Sequence, residues 1–253
     1  MLSHIAAYRF TPIHPPDALA ASVHAWAGDL GLKGSVVVAA EGINLFLAGE
    51  YESVAAFVRE LRGDPRLAAI EIRETRCRSQ PFGRLKVKVK PEIITFRRPD
   101  ASPLASRAPA VAPATLARWI GKGCDDEGRR LVLLDTRNRE EVAHGTFGGA
   151  LRLPIDNFTE LPEALAPHRD ALSDATVVGF CTGGIRCEKA ARWMQASGMD
   201  HVLQLDGGIL GYFQAVGGYG YDGACFVFDG RVAVDPELRP VGAPEAGQAR
   251  AAA

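Results

Sequence analysis

The sequence predicts an α/β protein of two domains: an α+β domain, then an α/β domain built on a parallel sheet. Three observations predict it. The first hundred residues run strand, helix, strand, strand, helix, strand. A stretch rich in proline and alanine at 98–113 divides the chain. Beyond it, short apolar strands alternate with helices, the pattern of a sheet covered on both faces.

Each element has its own signal. SHIAAYRF, 3–10, reads as a strand. DALAASVHAWAGDLG, 17–31, has apolar residues at helical spacing and stops on Gly31. SVVVAAEGINLFLAG, 35–49, reads as two strands turning around Glu41-Gly42. SVAAFVRELRGD, 53–64, is a second helix halted by Asp64-Pro65, and AIEIRETR, 69–76, is another strand. This order is that of a ferredoxin-like split βαβ domain, placed at 1–97. LKVKVKPEIITF, 85–96, adds strands with period two. Residues 98–113, with four prolines among small residues, have the composition of a linker.

The second domain is expected over 114–238. ATLARWI, 114–120, is a short helix; RLVLLDTR, 130–137, and TVVGF, 176–180, are buried strands. CTGGIRCEKAARWMQASG is a loop and then a helix ending at Gly198, and HVLQLDGG, 201–208, is one more strand. Residues 239–253 read as a disordered tail.

Composition narrows the function. The chain is 23% charged and 47% hydrophobic, ordinary for a soluble globular protein. No basic start followed by an apolar run opens it, and no stretch is long enough to span a bilayer, so the cytoplasm is the expected location and no membrane partner is expected. The five cysteines are scattered without a C-x-x-C pair, which argues against a disulfide framework or a structural zinc. The six histidines are scattered too, and neither a bound metal nor an organic cofactor is expected. Residues 1–100 carry 14 Lys/Arg against 11 Asp/Glu and the remainder 15 against 19, so a polyanion would favour the first half.

Cys181 stands at the end of a buried strand, where ligands of parallel sheets bind. The loop Cys181-Thr182-Gly183-Gly184-Ile185-Arg186 should curl into a helix with its N–H groups inward. Those amides, the helix N-terminus and Arg186 favour an anion at the centre and a thiolate on Cys181. Cys187, one residue past Arg186, is either the thiol that resolves a sulfenate or persulfide on Cys181 or a packed helix residue. Cys124 and Cys225 read as inert packed cysteines.

Four residues separate Cys181 from Arg186. C-x-x-x-x-R at a strand-to-helix junction resembles the active loop of rhodanese sulfurtransferases. Asp135-Thr136-Arg137, the Gly145…Gly149-Ala150 segment leading to Leu153-Pro154, and Asp206-Gly207-Gly208 match landmarks of that rhodanese-like α/β fold over about 114–216. Asp135 and Arg137 are expected to brace the fold as an ion pair.

AEGINLFLAG (40–49), FGRLKVKVKPEIITF (82–96), CTGGIRCEKA (181–190) and CFVFDGRVAV (225–234) together resemble one family: the oxygen-dependent tRNA uridine(34) hydroxylases, which carry a rhodanese-like domain. The resemblance covers roughly 4–238. It implies hydroxylation of the wobble uridine of tRNA to 5-hydroxyuridine, with molecular oxygen as co-substrate and a reductant left unidentified. It places the catalytic, persulfide-forming cysteine on Cys181. Some members continue into a cysteine-rich tail where this sequence has APEAGQARAAA, so any role of such a tail would have to be met otherwise.

Two mechanisms fit: the Cys181 thiolate adds to C6 of the uracil, or a Cys181 persulfide acts as redox partner. Both need the thiolate, with Arg186 and the loop amides stabilising charge. The alternative activity is rhodanese-type sulfur transfer, which leaves the first domain without a task. Between 73 and 90 lie seven Lys/Arg against the single acid Glu74. A strand through LKVKVK puts Arg84, Lys86, Lys88 and Lys90 on one face. On charge alone this suits a protected sheet edge; with the resemblance it suits a tRNA backbone.

Overall fold

The computed structural model describes residues 1–241. The first domain runs β1 (Leu2–Phe10), α1 (Pro16–Asp29), β2 (Lys33–Ala39), β3 (Gly42–Gly49), α2 (Tyr51–Gly63), β4 (Glu71–Cys77) and β5 (Leu85–Val89). Its sheet has the order β4-β1-β3-β2-β5. The first four strands are antiparallel to their neighbours, as split βαβ units require, and β5 is added parallel to β2. Alternation decides the faces. Ile5, Ala7, Ile43, Leu45, Val36 and Val38 point to α1 and α2, where Leu19, Val23, Val54 and Phe57 complete the core. The opposite sheet face carries no helix of its own domain and is free to cover something else.

The second domain contains β6 (Ala110–Val111), α3 (Pro113–Lys122), β7 (Arg130–Asp135), α4 (Arg139–Val142), β8 (Gly145–Phe147), β9 (Leu151–Arg152), α5 (Leu161–Leu165), α6 (Arg169–Leu172), β10 (Ala175–Phe180), α7 (Ile185–Ala196), β11 (Val202–Leu205) and α8 (Gly208–Val216). Its main sheet is parallel throughout, in the order β6-β11-β10-β7-β9. Central β10 is buried at every position, because one apolar cluster packs on each sheet face. β12 (Tyr221–Gly223) pairs with β8, and β13 (Cys225–Phe226), β14 (Ala233–Val234) and β15 (Pro240–Val241) form a small antiparallel sheet. The Asp135–Arg137 pair is fully buried at 2.6 Å and braces the fold as expected, with Arg137 also donating to the carbonyl of Gly145.

Four expectations need correction. The strand predicted over 85–96 stops at Val89: Glu92 accepts the N–H groups of Phe96 and Arg97 and turns the chain, and Phe96 stacks on Phe158 in the second domain. The segment 98–113 is no free linker. Ala101 and Ala108 are buried, β6 joins the second sheet beside β11, and the small side chains that suggest a flexible tether are what let it lie flat on that domain. Residues 239–241 are not part of a free tail, since Pro240–Val241 pairs with β14 and Arg239 bonds Asp235; the rest of the tail predicted from 239, residues 242–253, lies outside the described residues. The strand read at 201–208 ends at Leu205, and α8 follows it.

Candidate active site

The strand β10 delivers Cys181 to the carboxyl end of the parallel sheet. Gly184 then takes φ +96°, which starts α7, and its N–H donates to Cys181 Sγ at 3.2 Å. The loop is braced from behind: the carbonyls of Cys181 and Thr182 accept the N–H groups of Ile209 and Leu210, at 2.9 and 3.1 Å. Gly208 (φ +62°) permits that contact, since a Cβ there would stand 2.5 Å from the Cys181 carbonyl oxygen and 2.6 Å from the Gly184 nitrogen.

Burial alone would push the Cys181 thiol up. A hydrogen bond from Cys187, the charge of Arg186 and the backbone N–H groups of Arg186 and Gly184 outweigh it and leave the pKa at about 6. Cys187 moves the other way: burial and the neighbouring Cys181 hold it well above the usual thiol range, and its sulfur lies 3.6 Å from Thr136 Oγ1. Of the two thiols, Cys181 is the one whose environment favours the thiolate. Cys225 is fully buried and pushed up to about 12 by that burial, as an inert packed cysteine should be.

Arg186 is not a free anion receptor. Its Nη1 lies 2.8 Å from Glu141 Oε2 in a buried pair, and its guanidinium stands over Phe228. Glu141 also accepts the Asn138 N–H, from the first turn of α4. Sequence reasoning missed Glu141, although N-x-x-E at 138–141 is the signature of a helix start that holds a glutamate in place. Thr182 donates to the carbonyl of Phe226, which ties the loop to the 225–234 segment. Gly183 and Ile185 line the cavity above the cysteine.

That cavity, about 360 Å³, lies between the domains. The second domain supplies its floor, with Cys181. The uncovered sheet face of the first domain supplies its roof. Register shows why: Glu71, Tyr8, Asn44 and Val37 form one row across β4, β1, β3 and β2, and Arg73, Ala6, Phe46 and Ser35 the next. Tyr8, Asn44, Phe46 and Arg73 all line the cavity. Arg107, from the segment read as a linker, closes one side and donates to Glu188 at 2.9 and 2.6 Å. At another side His4, Asp229 and Arg231 form a buried cluster, with Asp229 Oδ2 2.6 Å from Arg231 and 3.3 Å from His4. Burial lowers the His4 pKa.

The same rows extend to the basic strand. Lys86 stands beside Ser35 and Lys88 beside Val37, so Arg84, Lys86, Lys88 and Lys90 share the sheet face that roofs the cavity, while Leu85 and Val87 pack on the core side. At a strand spacing of about 4.8 Å, the lysines lie roughly 10 Å from Asn44 and Phe46, outside the cavity but on its approach. Phe82 stacks on His4. Asn44 Nδ2 donates to the Ile93 carbonyl, and Glu41 accepts the Ile93 N–H. Among the described residues, no group of three or more His, Cys, Asp or Glu is arranged to hold a metal, and no helix is long and apolar enough to cross a membrane.

Comparison with known proteins agrees with this architecture. A family model described as a UPF0176 acylphosphatase like domain matches residues 2–93, and one described as a rhodanese-like domain matches 113–215. The chain is 67% identical over 242 residues to the tRNA uridine(34) hydroxylase of Xanthomonas campestris pv. campestris, covering 96% of each. It is 65% identical over 241 residues to the protein of that name from Xanthomonas oryzae pv. oryzae, covering 95% of each. With the one from Xylella fastidiosa it shares 60% over 241 residues, covering 95% of this chain and 94% of the relative.

Proposed function

Because the chain belongs to the tRNA uridine(34) hydroxylase family, we propose that its interdomain cavity receives the flipped uracil of the wobble nucleotide, with Cys181 attacking the ring. The protein is a tRNA-modifying enzyme that hydroxylates uridine 34. The finer chemistry is our reading: the product is 5-hydroxyuridine, molecular oxygen is the co-substrate, and the second oxygen atom leaves as water with two electrons from an external donor. No resident metal or organic cofactor enters this scheme. The cytoplasm, where tRNA is found, is the expected compartment.

One observation carries the reading. Cys181 lies at the floor of a cavity near the lower end of the size range for ligand pockets, roofed by a second domain. The volume suits one base with its sugar and not a stretch of strand, so the nucleotide must leave its stack to enter. A plain sulfurtransferase needs no such roof.

The residues divide the work as follows. Cys181, held as thiolate, adds to C6 of the uracil, which places negative charge on C5 and O4 and makes C5 able to attack oxygen. Arg186, fixed by Glu141, and the loop amides keep that sulfur anionic when it is free and make it a good leaving group later. Thr182, Gly183, Gly184 and Ile185 shape the loop. Arg84, Lys86, Lys88 and Lys90 bind phosphates of the anticodon arm beside the cavity mouth. Cys187 serves the sulfur as donor. A persulfide on Cys181, and its resolution by Cys187, would be a side route of the same loop.

The test is nucleoside mass spectrometry of tRNA from cells lacking wobble hydroxylation, complemented with this protein or with Cys181→Ala. Wild type should restore 5-hydroxyuridine and the variant should not. Restoration by neither, with thiosulfate turnover by the purified protein, would make it a sulfurtransferase.

A further inference from the structure

Tyr8 enters the cavity from the first domain and reaches the active loop of the second. Its hydroxyl stands against Gly184, where an added Cβ would lie 3.1 Å away, and donates to Glu188 Oε1 at 3.4 Å. Glu188, in the first turn of α7, is 1% exposed. Its Oε1 also takes both bonds from Arg107, while its Oε2 is buried with no hydrogen-bond partner among the described residues. An unsatisfied buried carboxylate oxygen is costly. A buried group left unpaired calls for an explanation, and use in the chemistry is one.

The reaction proposed above leaves one proton without a receiver. After oxygen has been added, C5 still carries its original hydrogen. Restoring the ring requires loss of that proton together with the cysteine. Of the other acids that line the cavity, Asp229 is tied to His4 and Arg231, and Glu71 and Asp206 face solvent; Glu141, paired with Arg186, does not line it.

Resting on the C6-addition reading, we propose that Tyr8 and Glu188 form the relay that takes the C5 proton when Cys181 departs. The C5–H bond breaks and its electron pair forms the C5=C6 double bond. The C6–S bond breaks and its pair returns to sulfur as thiolate. The proton moves to the phenol oxygen of Tyr8 as the phenol proton passes to the Glu188 carboxylate, so Tyr8 is the catalytic residue and Glu188 acts through it. Burial, then the neighbouring Glu188 and Cys181 charges, hold the Tyr8 phenol in its protonated form, as a relay requires. Arg107 holds the Glu188 carboxylate in place through both of its bonds to Oε1.

The same relay must run without oxygen. Cys181 adds to C6, water protonates C5 on the face that oxygen would take, and the relay on the opposite face removes the original hydrogen as Cys181 departs, so the C5 hydrogen exchanges with water. The experiment is therefore anaerobic release of tritium from tRNA labelled at C5 of uridine 34, with wild type, Cys181→Ala, Tyr8→Phe and Glu188→Gln. Wild type should release label and Cys181→Ala none. Tyr8→Phe and Glu188→Gln should release it at least about 100-fold more slowly, with tRNA affinity and the pH midpoint of Cys181 alkylation unchanged in Tyr8→Phe. Should Glu188→Gln fail to fold, Tyr8→Phe decides alone. Exchange by Tyr8→Phe within about threefold of wild type overturns the relay and leaves the cysteine chemistry standing. Absence of exchange in a wild type that still hydroxylates overturns the C6-addition reading and the relay with it.

Discussion

Lys189 of α7 meets Glu92 at 2.6 Å, and reaches Glu41 at 2.8 Å, in a contact that joins the helix behind the active loop to the first domain. The lysine is buried and both acids are largely so. Removing it leaves two carboxylates facing each other in a half-dry site. Lys189→Met should therefore cost about 3 kcal/mol, near the low end for breaking a buried pair because the acids keep some water. Denaturant unfolding reads the loss. Faster alkylation of Cys181 should accompany it as the roof loosens.

Acid should act on the same contact. The Lys189 bond and the N–H groups of Phe96 and Arg97 outweigh burial and hold the Glu92 pKa below its ordinary 4.5. A lowered carboxyl contributes stability that is complete above 4.5 and lost as pH falls through the folded value. Wild-type stability should hold above pH 4.5 on this account and fall below it, and Lys189→Met should lose part of that dependence. Thermal melting across this range checks it.

The thiolate at Cys181 has a pH signature. Alkylation should rise with pH through about 6 and then level, where an ordinary thiol would rise to 9.0. Cys187→Ala and Arg186→Met each remove a stabiliser and should move the midpoint upward. An unchanged midpoint in both would show that the loop amides alone set it.

Gly208→Ala should damage chemistry more than folding. Its Cβ would press on the Cys181 carbonyl and the Gly184 nitrogen, so the loop must shift. A displacement near 1 Å can cost about 100-fold in rate. The strained φ adds roughly 1 kcal/mol of destabilisation. Turnover and melting temperature separate the two.

Lys86→Ala with Lys88→Ala should weaken tRNA binding without changing kcat, since neither lysine lines the cavity. Losing two phosphate contacts should lower the slope of log affinity against log salt by roughly 1.5. A wild-type slope in the double variant would return the strand to the role of a protected sheet edge.

Much of this was legible in the sequence, and particular residues show where legibility ends. The strands and helices of the first domain were legible because each carries its own local pattern and stop signal. Tyr8 and Asn44 could not be singled out, since what they meet lies far along the chain. Cys181 and Arg186 were readable because their loop is local. The roles of Glu141, Glu188 and Arg107 were not, because the partners that define them, Arg186 for Glu141 and Tyr8 and Arg107 for Glu188, lie far away along the chain and leave no spacing to read. Alanine and proline in 98–113 have one composition whether the segment swings free or lies flat on a sheet, and only packing distinguishes them.

The proposed function has Cys181 serve an oxygen-dependent hydroxylation of tRNA. Its most direct test is to grow complemented cells under isotopically heavy oxygen gas in ordinary water and weigh the 5-hydroxyuridine from their tRNA. The account predicts that the C5 hydroxyl carries the heavy isotope with wild type and that the nucleoside is missing with Cys181→Ala. A hydroxyl derived from water, or full product from Cys181→Ala, would contradict it.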